Sequence, residues 1–363
     1  MENTQQDLAW LEGLKIPEGL RSSDYEYEAD RKALQAFQSV PGISTLCAKF
    51  TAFFLEADKA DLLGRAVRVS DKQFPEINRL RLKAAEVLGV TPPPLFIVEA
   101  PVLNAFALGP DAENSFIIAT RALVAEARPR ELMFALGHEM GHVKSQHSLY
   151  ITVAVLLSNT GMLAAHTLAL PGVRQLLAVL RPLAEVALNA WARRAEVTCD
   201  RAGLLCCQDL EAGQRALLLL ACGSRALAER IDLKEYETQR EELARSVGKW
   251  RQLFDTHPHL PKRIRALELF AASRPYGGAL GAAAGGPTLP ELDLEVAKVL
   301  DDLEGLKGAA GSIAGWGKKQ LGGGLEALAK GLAAASESLR GAPPAPEPPR
   351  RKRKSPRKDS PGA

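Results

Sequence analysis

Residues 134–147 read FALGHEMGHVKSQH, and this stretch decides how the rest of the chain is organised. His138 and His142 stand four positions apart in a run whose apolar residues, Phe134, Leu136, Met140 and Val143, mark a buried helix. At about 100° and ~1.5 Å per residue, the two imidazoles return to one face a turn apart, where both can reach a single cation. Glu139 projects beside them, placed to accept a proton from a water polarised by that cation and to deliver it to a leaving amine. Two His and a Glu inside a buried helix need a polar partner, because unpaired polar groups are costly away from water. Zinc suits imidazole and carboxylate ligands in a four-coordinate site with one position left for water. One Zn2+ per chain is therefore expected, with a third protein ligand to be found elsewhere.

Pro129 suits a first helical turn, where its missing N–H costs nothing, and the metal helix should run from there to about Gln146. Upstream, after Pro92-Pro93-Pro94, three short apolar segments at 95–99, 103–107 and 115–119 read as strands of one small sheet. Residues 25–89 carry a mainly helical pattern closed by Gly89. Downstream, a helical hairpin spans about 149–168 and 173–208, followed by helices near 212–222, 234–253 and 261–272. The far arm of the hairpin contains ARRAEVTCDRAGLL, in which Glu196 and Asp200 are four apart and share one face. One of them can ligate the metal while the other accepts a hydrogen bond from the outer nitrogen of a ligand histidine. The fold class is α+β and mostly helical.

With these segments in place the chain resembles the HtpX-like and CAAX-prenyl-endopeptidase-like zinc metallopeptidases over about residues 70–272. Four stretches carry the resemblance: Asn104-Ala105-Phe106, His138-Glu139-Met140-Gly141-His142, Glu196-Val197-Thr198-Cys199-Asp200, and Thr256-His257-Pro258 with Arg263. The resemblance implies a zincin-like core with a gluzincin-type site. Glu196 would be the third metal ligand, Asp200 the carboxylate behind a ligand histidine, and His257 a group near the metal that stabilises the oxyanion or holds the substrate carbonyl. Asn104 and Ala105 would lie on the strand that binds substrate. Cys199 stands where the family commonly has Ala, and Gly109-Pro110 replaces the family's glycine pair. His147 and His259 match no position of the family pattern and read as surface or packing residues; His166 reads as a core histidine.

The net charge of +3 belongs to the tail, since residues 341–363 carry seven Lys/Arg against Glu347 and Asp359 and leave the remainder acidic. A basic body that would bind nucleic acid is excluded, and no specific nucleic-acid partner is expected. Cys47, Cys199, Cys206, Cys207 and Cys222 are odd in number and form no CxxC, which argues against a disulfide framework and for a reducing compartment. The stretch MENTQQDLAW has neither a basic n-region nor an apolar h-region, so a secretory signal is not expected. A cytoplasmic protein is expected, with peripheral contact at a membrane or other anionic surface as a role for the C-terminal region. Residues 149–172 contain no Asp, Glu, Lys or Arg. A bilayer crossing there would separate Glu196 from the His pair, because the return through Arg174, Arg181 and Glu185 is expensive in hydrocarbon.

The expected organisation is a helical lead-in at 1–69, a metallopeptidase domain at 70–274, a linker with amphipathic Gly/Ala-rich helices at 275–340, and a basic Pro-rich tail at 341–363. A chain ended near Ser273 is expected to fold by itself. The expected function is hydrolysis of extended or misfolded polypeptides by a metal-activated water with Glu139 as general base. The alternative is a catalytically silent, metal-stabilised binding or chaperone-like protein.

Overall fold

The computed structural model describes residues 8–39, 44, 47, 48, 51, 64–150, 173–245, 259–282 and 285–302. After short 3-10 turns at Ala9–Gly13 and Ser22–Asp24 come α1 (Glu28–Gln38), β1 (Ala66–Arg68) and α2 (Pro75–Leu88). The sheet continues with β2 (Leu95–Val98), β3 (Ala105–Leu108) and β4 (Phe116–Thr120), and β4 leads into the short α3 (Arg121–Glu126). The metal helix is α4 (Pro129–Lys144), and α5 (Val173–Cys207) is the long arm facing it. Then follow α6 (Leu210–Cys222), α7 (Arg225–Ala228), α8 (Leu233–Arg245), α9 (Leu260–Ala271), α10 (Arg274–Ala279) and α11 (Leu289–Leu300).

The sheet has the order β1-β2-β4-β3, with β2 and β4 parallel and the outer pairs antiparallel. Three of its strands are those the sequence marks. β1 is the addition, a three-residue strand inside a stretch expected to be helical, too short for alternation to reveal it. The proline run before β2 is anchored from α2: Arg81 Nη1 donates to the carbonyls of Pro92 at 3.2 Å and Pro93 at 3.0 Å. Gly89 ends α2 at φ 62°, a left-handed conformation that costs glycine little. Among the described residues, β3 pairs with β4 on one side only.

α4 lies at the centre, buried on nearly every side, with Leu132, Met133, Leu136, Met140 and Val143 in the core. It can approach α5 closely because small residues face each other. A Cβ on Gly141 would lie 2.8 Å from Ala202 Cβ, and one on Gly203 would lie 2.7 Å from the Phe134 carbonyl oxygen. Four of the five cysteines are buried and none forms a disulfide, as their number and spacing suggest.

The C-terminal side departs from the expected organisation. Helix α11 was assigned to an appended segment beyond a linker, yet Leu292, Val296 and Ala297 enter the same core as α4. Asp293 pairs with Arg201 of α5 at 2.7 Å and accepts the Glu28 N–H at 2.9 Å. Asp301 meets Lys262 at 2.9 Å, and Asp302 takes two hydrogen bonds from Arg194 at 2.7 and 2.8 Å. A chain ended near Ser273 would strip Arg201 of its buried partner, so the folded body includes the described residues as far as Asp302. The lead-in likewise shares this core through Leu8, Leu11, Tyr25 and Tyr27. Among the described residues no helix is long and apolar enough to cross a membrane. The apolar segment at 151–172, His166 within it, the Gly/Ala-rich stretch at 308–339 and the basic tail lie outside the described residues.

Candidate metal centre

Two neighbouring helices supply the site. From α4, His138 and His142 present their rings edge to face with centroids 5.0 Å apart. From α5, Glu196 reaches between them, Oε2 lying 3.6 Å from His138 Nε2 and Oε1 lying 3.6 Å from His142 Nε2. One donor atom from each of the three residues falls within 4.8 Å of the others. Two neutral imidazole nitrogens and a carboxylate oxygen at this spacing can hold a zinc ion and leave a fourth position for water.

Charge supports the same fit. Glu139, Glu196 and Asp200 are all buried within the cluster, and the guanidinium of Arg263 is the fixed cation set among them. Arg263 Nη1 lies 2.9 Å from Glu196 Oε2, while its Nε and Nη2 donate to the two oxygens of Asp200 at 2.8 and 2.7 Å. Three carboxylates against one guanidinium leave an excess of two negative charges, the charge a divalent cation neutralises.

Burial and the neighbouring charges together shift the pKa values. Burial pushes the Glu139 carboxyl up to about 7, with the neighbouring Glu196 adding to the rise. Burial lowers His142 to about 4, which favours the neutral ring a metal needs. Burial also works against a charged His138, but the carboxylates of Glu196, Asp200 and Glu139 outweigh it and hold its pKa above the usual histidine value. For Asp200, burial acts upward and is overcome by Arg263 and His138, leaving the carboxyl below its ordinary value. Asp200 Oδ1 lies 3.0 Å from His138 Nδ1, on the ring edge away from Glu196.

The structure thus brings together His138, Glu139, His142, Glu196 and Asp200. The Ala107 backbone of β3 donates to Glu139, joining the edge strand to the proposed base. Asn104 sits immediately before β3, where its N–H donates to Thr120 Oγ1 at 3.0 Å and its carbonyl accepts the Thr120 N–H at 2.9 Å. Ala105 is the first residue of β3. His257 lies outside the described residues. Two participants were not given roles from sequence. Arg263 sits in a segment the family pattern includes, but no spacing rule links position 263 to 196 and 200. His147, read as a surface or packing residue, is 1% exposed and stands against His142.

Comparison with known proteins agrees with this geometry. The chain is 31% identical over 231 residues to the plastoglobule-localized metallopeptidase 48, chloroplastic, of Arabidopsis thaliana, a match covering 63% of each chain. The chain therefore spans 63% of the length of that relative. Protease HtpX homologs of Thermoplasma volcanium and Ligilactobacillus salivarius are 28% and 26% identical, with 57% of this chain covering 75% and 77% of theirs. No solved structure gives a significant match. The sequence profile of Peptidase family M48 matches residues 71–271, more than half of the chain, and takes in both helices that carry the donor atoms. The chain belongs to peptidase family M48.

Proposed function

We propose that this chain is a zinc-dependent metalloendopeptidase that cleaves extended or misfolded polypeptides, with one metal ion held by His138, His142 and Glu196. The observation that carries the reading is the convergence of those three donors with the Glu139 carboxyl in the same buried cluster. Zinc bound there supplies a Lewis acid that polarises the scissile carbonyl and acidifies the attacking water. Glu139, raised to about 7, suits both halves of the proton traffic: it accepts the water's proton during attack and returns it to the departing amine. Asp200 accepts the His138 Nδ1–H and so directs Nε2 toward the cation. Arg263 holds Glu196 and Asp200 in register and, against the effect of burial, keeps the Asp200 carboxyl below its ordinary value.

An extended substrate would add as a strand along β3, its backbone hydrogen-bonding to the edge that begins at Ala105. Such pairing would favour unfolded chains, since a segment already paired in another sheet cannot be offered to that edge. The cytoplasmic setting and peripheral contact with an anionic surface through residues 308–358 belong to the same proposal. Co-sedimentation with anionic vesicles at low salt, released as salt rises, tests the contact.

The decisive test combines metal analysis of the purified chain with digestion of an unfolded casein-type substrate, with and without a chelator. The expected result is stoichiometric zinc and hydrolysis that stops on chelation and returns with zinc. Bound zinc with no hydrolysis of any unfolded substrate would leave a metal-stabilised binding protein in place of the enzyme.

A further inference from the structure

The two metal-facing histidines have different supports on their outer nitrogens. His138 turns Nδ1 to the carboxylate of Asp200, the common arrangement for a metal ligand. His142 turns Nδ1 to another ring: His147 Nδ1 lies 3.2 Å away, with the imidazoles at 65° to one another. The opposite nitrogen of His147, Nε2, lies 3.1 Å from Asp30 Oδ2. Asp30 is fully buried, and it accepts from Trp191 Nε1 at 2.9 Å and from Thr198 Oγ1 at 2.6 Å. Thr198 is in turn fixed by the Tyr27 N–H at 3.1 Å. A line of hydrogen-bonding groups therefore runs from α1 and α5, through His147, to the back of His142.

The turn that closes α4 creates this line. Continued helix would carry position 147 well away from the face of His142. Instead Gln146 takes φ 60°, the left-handed conformation. The Gln146 N–H returns to the Val143 carbonyl at 3.2 Å and the His147 N–H to the His142 carbonyl at 2.8 Å, the bond pair of a Schellman turn. The left-handed position is normally glycine's, and a side chain there is uncommon. The turn folds His147 back against the ring five residues before it.

With His142 Nε2 given to the metal, as proposed above, proton bookkeeping along the line has one consistent solution. Asp30 receives donors from Trp191 and Thr198 and acts as an acceptor, so His147 Nε2 carries the hydrogen it shares with Asp30. A neutral imidazole with its hydrogen on Nε2 is an acceptor at Nδ1. The hydrogen between the two rings then belongs to His142 Nδ1, which leaves the lone pair of His142 Nε2 facing Glu196. We infer that His147 and Asp30 are positioning residues that fix the tautomer and direction of His142 toward the metal. The inference rests on His142 being a ligand, as proposed above.

Cys199 Sγ lies 3.6 Å from His147 Nδ1, and His142, His147 and Cys199 are close enough together to hold an ion of their own. An ion there would demand both nitrogens of His142 for two cations and strip its last proton, whereas the hydrogen-bonded line uses each ring in its neutral form.

Substitutions at 147 separate orientation from packing. His147→Phe keeps a ring beside Trp191, whose centroid lies 5.4 Å from that of His147, but removes the acceptor. His147→Asn loses ring volume and restores a carbonyl oxygen near the Nδ1 position. In the full chain, the Phe variant should bind zinc about 10–100-fold more weakly, the usual effect of removing a partner behind a ligand, while the Asn variant stays closer to wild type. A packing role alone gives the reverse order. Ring proton–nitrogen correlation spectra of the zinc-loaded chain should find the hydrogen of His142 on Nδ1 and that of His147 on Nε2. Should His147→Phe fail to fold, the Asp30→Asn/His147→Phe pair, which removes the carboxylate left short of a donor, is measured in its place with the same expected weakening. Unchanged zinc affinity in the Phe-containing chain, a hydrogen on His147 Nδ1, or a second zinc lost with His147 would each overturn the inference. Zinc retained by His142→Ala would instead sink the ligand assignment, so the two failures are distinguishable.

Discussion

Two neighbouring buried clusters of charge on α5 behave as opposites. At Arg201 one guanidinium meets one carboxylate: Asp293 lies 2.7 Å away, the Tyr25 carbonyl accepts a second bond at 2.9 Å, and the Phe270 ring packs with its centroid 5.4 Å from the guanidinium carbon. That cluster is neutral and ties α11 to the core. At Glu196 and Asp200, on the same stretch of helix, three carboxylates share one guanidinium, and burial, with Glu196 adding to it, raises the Glu139 carboxyl to about 7. Burial alone does not mark a functional site. Buried charge left unbalanced does, because the protein bears a cost that a dication removes.

The largest expected effect breaks the comparison at its unbalanced end. Glu139→Gln should lower peptidase activity about 10²–10⁴-fold, the range for loss of a general acid–base, with zinc content unchanged by metal analysis. Zinc lost together with activity would show that Glu139 serves the metal and not the proton transfer. At the balanced end, Asp293→Ala leaves Arg201 buried and unpaired, and denaturant unfolding should register about 3–5 kcal/mol of destabilisation. The Arg201→Met/Asp293→Leu pair should recover most of it. The same apolar exchange at Arg263 and Asp200 should not restore metal affinity, because there the charges serve the ion.

The metal-free chain offers a test that works through pH. Glu139 moves from an ordinary value of 4.5 to about 7, so the folded state holds its proton more tightly than the unfolded state does. Between those values the folded chain binds more protons, and stability falls as pH rises. Glu139→Gln should remove that slope. Metal-free mutant and wild type should match below about pH 4.5 and diverge by about 3 kcal/mol in the mutant's favour above pH 7. Parallel stability curves would mean that water already solvates Glu139. The smallest effect concerns spacing. A Cβ on Gly141 would stand 3.2 Å from the Cys199 backbone, and Gly141→Ala should cost about 1–3 kcal/mol by thermal unfolding while weakening metal binding through displacement of Glu196.

What the sequence reveals follows the range of the forces involved. The His pair and Glu139 are legible because a helix makes neighbours of residues four apart, and the same rule exposes Glu196 and Asp200 on α5. Strands β2 to β4 are legible from their turns, and β1 is hidden by its length. His147 escapes because helical periodicity sends it elsewhere, and only the left-handed Gln146 returns it. Asp30 lies 117 positions before His147, beyond the reach of any local rule, and its contacts with Trp191 and Thr198 span 161 and 168 residues. The docking of α11 is hidden for a related reason: the Gly-rich stretch before it suggests a linker, while Asp293 becomes meaningful only once Arg201 is known to be buried.

The edge strand β3 has a consequence for solubility. An edge strand open on one side, as the proposed substrate pairing requires, is also a template on which copies of the protein could stack. Here the exposed template is kept short. β3 has four residues, Pro101 lies upstream, and Gly109-Pro110 ends it before the charged Asp111 and Glu113. Proline cannot donate to a growing ladder, and like charges repel across stacked copies. Four residues would suffice to pair with one extended segment, as proposed, while offering little length on which a fibre could grow.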